Sequence, residues 1–129
     1  VERMVTGAVA ELIVGVMDDP QFGPVMTLGT GGVLVELLQD TVTMLLPASR
    51  EEIETALRSL RMFPLLDGYR GKPKADLEAA IDAIVGIATF AVNNAGRITE
   101  LDINPLLVCS KGQGAWIADA LLVTKGELN

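Results

Sequence analysis

Apolar positions along the chain follow two different periods. Glu11-Leu-Ile-Val-Gly-Val-Met17 is rich in β-branched and apolar residues and stops at Asp18-Asp19-Pro20. A short apolar run bounded by a turn signal predicts a buried strand. Val25 to Leu28 predicts a second short strand, joined to the first as a hairpin by a loop containing Phe22-Gly23-Pro24. Val33 to Leu38 fits strand or helix equally, whereas Thr41 to Leu46 predicts a strand that Pro47 ends.

The period then lengthens to that of a helix. Ser49 with Glu52 three residues on has the form of a capping box, and Ile53, Leu57 and Leu60 make an apolar stripe behind it. Arg50, Arg58 and Arg61 fall on its solvated face. Asp76 to Val92 predicts the longest helix, with Leu77, Ile81, Ile84, Val85, Ala88 and Ala91 at helical spacing, and Asn93, Asn94 and Gly96 end it. Between the helices, Met62 to Pro73 reads as a loop pinned by Phe63, Leu65 and Tyr69. Its cations, Arg70 and Lys72, meet either solvent or an anionic group. The tail from Thr124 to Asn129 is expected to fray.

Two stretches carry candidate chemistry. Gly29-Thr30-Gly31-Gly32 follows a predicted strand, and reads either as a tight turn or as a backbone cradle for an anion. Its spacing matches neither a Walker loop nor a dinucleotide fingerprint. In Glu100-Leu-Asp-Ile-Asn-Pro105, read as a strand, Glu100, Asp102 and Asn104 share one face and Leu101 and Ile103 the other.

From Ser110 to Gly114 a turn-rich cluster predicts a hairpin. A turn centred between Lys111 and Gly112 sets Asn104 directly across from Asp119; a slip of one residue sets Asp119 across from Leu106. In both registers Asn104 and Asp119 share a face, because opposed positions change by two and the strand period is two. An amide and a carboxylate so placed suit a hard cation such as Mg²⁺, which takes oxygen ligands. The same residue types beside a proline also cap strands and start turns with no further role.

Composition narrows the classes. The chain has 129 residues, half of them hydrophobic, enough for one core. The opening Val-Glu-Arg-Met-Val, with no initiator methionine, reads as the interior of something longer. A net charge of -7 without any Lys/Arg-rich run disfavours nucleic acid and anionic membrane surfaces, though not a nucleotide held through Mg²⁺. One cysteine, Cys109, fits a reducing cytoplasm. The best apolar stretch, Ile84 to Val92, is too short to span a membrane, and no secretion signal is visible. With no histidine in the chain, Ser-His, Cys-His and His-ligated metal chemistry are excluded.

Five motifs in order complete the reading: Asp19-Pro-Gln-Phe-Gly-Pro24, Gly29 to Gly32, Pro64-Leu-Leu-Asp-Gly-Tyr-Arg-Gly71, Glu100-Leu-Asp-Ile-Asn-Pro-Leu106 and Ala118-Asp119-Ala120. Together, from about Glu11 to Val123, they resemble the C-terminal part of the ATP-grasp domain of NDP-forming acyl-CoA synthetases, relatives of the succinyl-CoA synthetase β subunit. The resemblance implies an α/β fold, a C-terminal ATP-grasp subdomain with a mainly antiparallel sheet packed against helices. Residues 1–129 would then form a single partial domain.

The resemblance also implies binding of ATP/ADP or GTP/GDP with Mg²⁺, and phosphoryl transfer through a phosphohistidine during interconversion of acyl-CoA and free acid. Asn104 and Asp119 match the Mg²⁺ ligands, Asp102 the acid that orients the histidine, and Gly31 and Gly32 a nucleotide-binding glycine turn. The phosphohistidine, the CoA-binding region and the earlier ATP-grasp segment are missing from this sequence. They would be supplied by the remainder of the ATP-grasp domain and by a CoA-binding/phosphohistidine domain or subunit. The alternatives are a regulatory synthetase-like module of a fused protein acetyltransferase, and a noncatalytic interaction domain.

Overall fold

Alternation along one long strand divides the molecule into a covered side and an open side. The computed structural model describes residues 8–31, 40–68, 71 and 73–125. Strand β1 runs Ala8–Asp19. Ala10, Leu12, Val14 and Val16 are buried on one side, while Glu11 and Met17 are exposed on the other, as a period of two requires. β1 pairs antiparallel with β2 (Gly23–Thr30) on one flank and with β4 (Ile98–Cys109) on the other. β3 (Thr41–Leu45) extends the sheet beyond β2, and β5 (Ala115–Ile117) and β6 (Ala120–Thr124) both pair with β4. Among the described residues the sheet is six-stranded with order β3-β2-β1-β4-β5, β6 lying beside β4, and every pairing is antiparallel.

Among the described residues three helices cover the buried side: α1 (Arg50–Arg58), α2 (Phe63–Leu66) and α3 (Leu77–Asn93). Ile53 and Leu57 of α1 and Ile81 and Ile84 of α3 form one core with Leu12, Val14, Met26, Leu28, Leu106 and Val108, all at most 1% exposed. Each such side chain stabilises the fold by about 1.5–3 kcal/mol relative to leaving it in water. The α/β architecture expected of the sequence is therefore observed, as a mainly antiparallel sheet packed against helices. None of the described helices is long and apolar enough to cross a membrane.

The capping box is formed, Ser49 Oγ accepting from the Glu52 amide at 3.0 Å and Glu52 Oε1 accepting from the Ser49 amide at 2.7 Å. The arginines do more than face water. Arg50 donates to Glu78 at 2.7 Å and Asp82 at 2.6 Å, bridging α1 to α3. Arg58 pairs with Glu54 at 2.9 Å and lies 4.9 Å from the centroid of the Phe63 ring. These pairs are exposed and contribute little each.

Several expected boundaries differ. The stretch after Met62 is not all loop: α2 occupies Phe63–Leu66, with Pro64 in its first turn, where a missing amide proton costs nothing. Met62 and Leu66 are its buried anchors, whereas Leu65 is 39% exposed; Tyr69, Arg70 and Lys72 lie outside the described residues. Thr124 belongs to β6 rather than to a frayed tail, and Lys125 donates its amide to Arg97 O at 2.8 Å and its ammonium to Asp18 at 2.7 Å.

Gly29 and Thr30 belong to β2, and Gly31 prolongs its pairing by donating its amide to Glu11 O at 2.8 Å. Neither Gly29 nor Gly31 takes a left-handed conformation; both answer to crowding. A Cβ on Gly29 would lie 2.8 Å from Thr41 Cγ2, and one on Gly31 would lie 3.2 Å from the Glu11 carbonyl carbon and oxygen. Gly32 and the ambiguous Val33 to Leu38 lie outside the described residues.

A buried carboxylate ties this corner together. Asp40, 5% exposed, accepts from the Thr30 hydroxyl and from the amides of Arg61 at 2.6 Å and Met62 at 2.9 Å. Burial alone would raise its pKa; the Thr30 hydroxyl, the two amides and the charge of Arg61 outweigh that and hold it below the ordinary value. A carboxylate with a lowered folded pKa stabilises the fold fully above its ordinary pKa of 3.8, and that contribution is lost as pH falls through the folded value.

Asp40→Asn is accordingly expected to lower stability by about 2–3 kcal/mol at neutral pH, with the gap to the parent closing in denaturant titrations carried below pH 3.8. Gly31→Ala is expected to lower stability by about 1–3 kcal/mol through its contact with the Glu11 backbone, read as a shift in the denaturation midpoint with unchanged slope.

Candidate functional site: an acidic row on the open face of the sheet

β4 changes phase halfway along, and that change builds the site. Leu101 and Ile103 are buried against the helices, and beyond Pro105 the buried residues are Leu106 and Val108. Val14 pairs with Ile103 and Leu12 with Leu106, so Ile13 alone opposes the two residues Asn104 and Pro105. This is a β-bulge, which re-aims side chains while both flanking segments stay packed. Asn104 therefore stays on the open face with Glu100 and Asp102.

On its other edge β4 shifts register once, between Ile98 and Glu100, and then keeps one register from Glu100 to Val108. Gln113 donates its amide to Ser110 O at 2.8 Å, closing a turn centred between Lys111 and Gly112. Leu106 then pairs with Ile117, Ile103 with Ala120 and Asp102 with Leu121. Between the two pairings, Asn104 donates its amide to Asp119 O at 3.1 Å and Ala118 to Pro105 O at 3.0 Å. Asn104 and Asp119 thus stand directly across from each other, in the first of the two registers the sequence allowed and not the slipped one.

The turn is fastened from outside the hairpin. Asp76 caps α3 through the Ala79 amide at 3.2 Å, and its second oxygen accepts from Gly112 at 3.1 Å and Gly114 at 2.8 Å. Both glycines have positive φ, 87° and 91°, a conformation that other residues adopt only at a cost.

Asp102 is half-buried, and Asn104 and Asp119 are exposed. Asp119 Oδ1 accepts from the Ala120 amide at 2.9 Å, which fixes the carboxylate while leaving its second oxygen without a protein partner among the described residues. Asp102 and the Asn104 carboxamide make no side-chain hydrogen bond or ion pair among the described residues. A cavity of about 260 Å³ opens over this row, lined by Gly15, Thr27, Glu100, Asp102 and Asn104 among others. A larger hollow of about 770 Å³ lies elsewhere, between β3 and α1; its carboxylates are Glu51 and Glu52, and Glu52 is already engaged in the helix cap.

An exposed carboxylate and an exposed carboxamide with uncommitted oxygens fit a hard divalent cation. Among the described residues no three His, Cys, Asp or Glu side chains converge. Asn104 and Asp119 thus offer part of a coordination sphere, the arrangement typical of Mg²⁺ shared with waters and phosphate oxygens. Of the other residues expected at the site, the Gly31 amide is already committed to Glu11 O. Sequence reasoning passed over Gly15, and over Thr27, whose hydroxyl shares a hydrogen bond with Thr43 at 3.1 Å on the open face. A lone glycine inside an apolar strand was the available signal for the first.

Comparison with known proteins fits this geometry. Residues 1–123 match the family model described as an ATP-grasp domain. The chain is 35% identical over 116 residues to the β subunit of acetate–CoA ligase (ADP-forming) II of Pyrococcus furiosus, covering 90% of this chain and 49% of that subunit. It is 35% identical over 123 residues to the ADP-forming acetate–CoA ligase of Methanocaldococcus jannaschii, covering 95% of this chain and 17% of that enzyme.

Among solved structures, a Pyrococcus horikoshii protein superposes with a TM-score of 0.89 at 31% identity, over 96% of this chain and 52% of that one. Acetyl-coenzyme A synthetase 1 of Candidatus Korarchaeum cryptofilum, in complex with coenzyme A and Mg-AMPPCP, superposes with a TM-score of 0.83 at 36% identity, over 90% of this chain and 53% of that one. The chain thus spans about half the length, or less, of the relatives it matches. With the match running through almost every described residue, the chain belongs to the ATP-grasp domain family, and over most of its length it is similar to ADP-forming acetyl-CoA synthetases.

Proposed function

We propose that this chain is the C-terminal portion of the ATP-grasp domain of an NDP-forming acyl-CoA synthetase, where it helps to hold Mg²⁺ and nucleotide for phosphoryl transfer to and from a histidine. The observation that carries this reading is the pairing of Asn104 with Asp119 across one register, with Asp102 two residues along on the same face. Asn104 and Asp119 would hold the metal through their oxygens. The bound ion supplies neutralisation of phosphate charge, the main requirement of phosphoryl transfer.

Asp102 has no ion pair or side-chain hydrogen bond among the described residues, which leaves it available to accept the N–H of an incoming imidazole. That fixes the tautomer, so the other ring nitrogen is unprotonated and faces the γ-phosphorus of ATP. A phosphorus–nitrogen bond forms as the phosphorus–oxygen bond to ADP breaks, and its electron pair leaves with ADP. The imidazole comes from elsewhere, since this chain has no histidine. The Korarchaeum synthetase, solved with its phosphohistidine segment pointing towards the nucleotide-binding site, supports that division of labour.

The partners implied are the rest of the ATP-grasp domain and a CoA-binding/phosphohistidine domain or subunit, in the cytoplasm. The reading gives no role to nucleic acid or membrane.

In the complete protein, Asp119→Ala is expected to cut Mg²⁺-dependent histidine phosphorylation by about 100-fold or more while leaving the melting temperature unchanged, because the side chain is exposed. Incorporation of labelled phosphate from ATP measures the first, and unaltered incorporation would remove the metal role. The 129-residue chain alone is expected to form no acyl-CoA from acid, CoA and ATP; turnover by the purified chain would show that it needs no partner.

A further inference from the structure

We propose that Gly15 is a positioning residue for Asp102: the side chain it lacks is the space into which the Asp102 carboxylate leans, in line with Asn104 and Asp119. The inference rests on the role given to Asp102 in the preceding subsection, and extends it to a residue on a different strand.

Gly15 sits in the middle of β1, where glycine is a poor choice because it packs nothing and loses the most conformational freedom on folding. Nothing in the backbone calls for it, since its φ lies outside the left-handed region. Its neighbours on the same face of the strand are Ile13 and Met17, so bulk is accepted on either side. Gly15 and Asp102 are directly opposed in the β1–β4 ladder. Among the described residues, a Cβ built on Gly15 meets one atom within 4 Å, Asp102 Oδ1 at 3.2 Å.

Gly29 shows the contrast. A Cβ there would press on the Thr41 and Ile13 side chains and on the Asp40 backbone, which is a packing constraint. At Gly15 the carboxylate is what an added Cβ would meet among the described residues, and both residues line the same cavity. A methyl group would displace the carboxylate by a few tenths of an ångström, and a shift of that order away from the reacting groups slows transfer while leaving nucleotide and metal in place.

The test uses the complete protein and compares the parent with Gly15→Ala, Asp102→Asn and the double variant. Three quantities are read: melting temperature, dissociation constant for Mg-ATP, and single-turnover rate of histidine phosphorylation. Gly15→Ala is expected to melt at the same or a higher temperature and to bind Mg-ATP within about twofold of the parent, yet to transfer phosphate about tenfold more slowly. The double variant is expected to be no slower than Asp102→Asn alone, because the two changes act on one group.

Transfer at the parental rate in Gly15→Ala, a lowered melting temperature, or full additivity in the double variant would each overturn the proposal. An Asp102→Asn protein that transfers at the parental rate would instead remove the role of Asp102 itself, whatever Gly15→Ala does.

Discussion

The antiparallel register between β4 and the strand pair β5–β6 is the constraint on which the site depends. Side chains on paired strands share a face only while the register holds, and a slip of one residue exchanges neighbours along the whole ladder. Here the register passes unbroken through the gap at Ala118 and Asp119, carried by the backbone bonds of Asn104 to Asp119 and of Ala118 to Pro105. Asp76 secures the turn that starts it, from the first residue before α3. Asn104 and Asp119 are thus placed by backbone hydrogen bonds and a distant carboxylate, with no contact between their own side chains needed.

The sheet divides its labour by face. The helices bury one side, and the bulge at Asn104 and Pro105 lets β4 change phase there without giving up apolar contacts on either half. The other side keeps polar side chains whose protein partners are few, which suits a surface that must exchange bonds with a ligand. Asp40 is the opposite case. Equally acidic in kind, it is buried and fully engaged by Thr30, Arg61 and Met62, so it serves the fold. Burial and partners, rather than residue type, separate the two uses of a carboxylate.

Much of this was legible in the sequence because period and punctuation are local. The capping box at Ser49 and the stripe of α3 followed from spacing alone, while spacing left the hairpin two registers, between which the fold chooses. What escaped depends on contacts between distant segments. Nothing near Gly29 or Gly31 says that a neighbouring strand crowds them, so a glycine cluster read as a turn turned out to lie in and beside a strand. Gly15 needs its opposed residue on β4 to be understood, and the anchoring of Gly112 and Gly114 needs Asp76, more than thirty positions earlier. The short helix at Phe63 was hidden by its proline, which is tolerated in a first turn but resembles a breaker in a list of residues.

β6 carries a further implication for handling the molecule. Ala120 to Thr124 are all exposed, uncharged and without proline, and Leu121 and Leu122 show 56% and 46% of their surface on opposite sides of the strand. Soluble proteins usually guard such a margin with lysine, proline or a bulge, because an open row of amides and carbonyls invites another chain to add itself. This segment has no guard of its own. Among the described residues β6 pairs on one side alone, with β4; the counterweight is the long-range repulsion between chains that each carry -7 charges, and about 1 M salt shortens the reach of that repulsion to a few ångströms. Resistance to edge-to-edge pairing at β6 thus has to come from charge elsewhere on the surface, and salting a concentrated preparation weakens that charge effect while leaving the strand as it is.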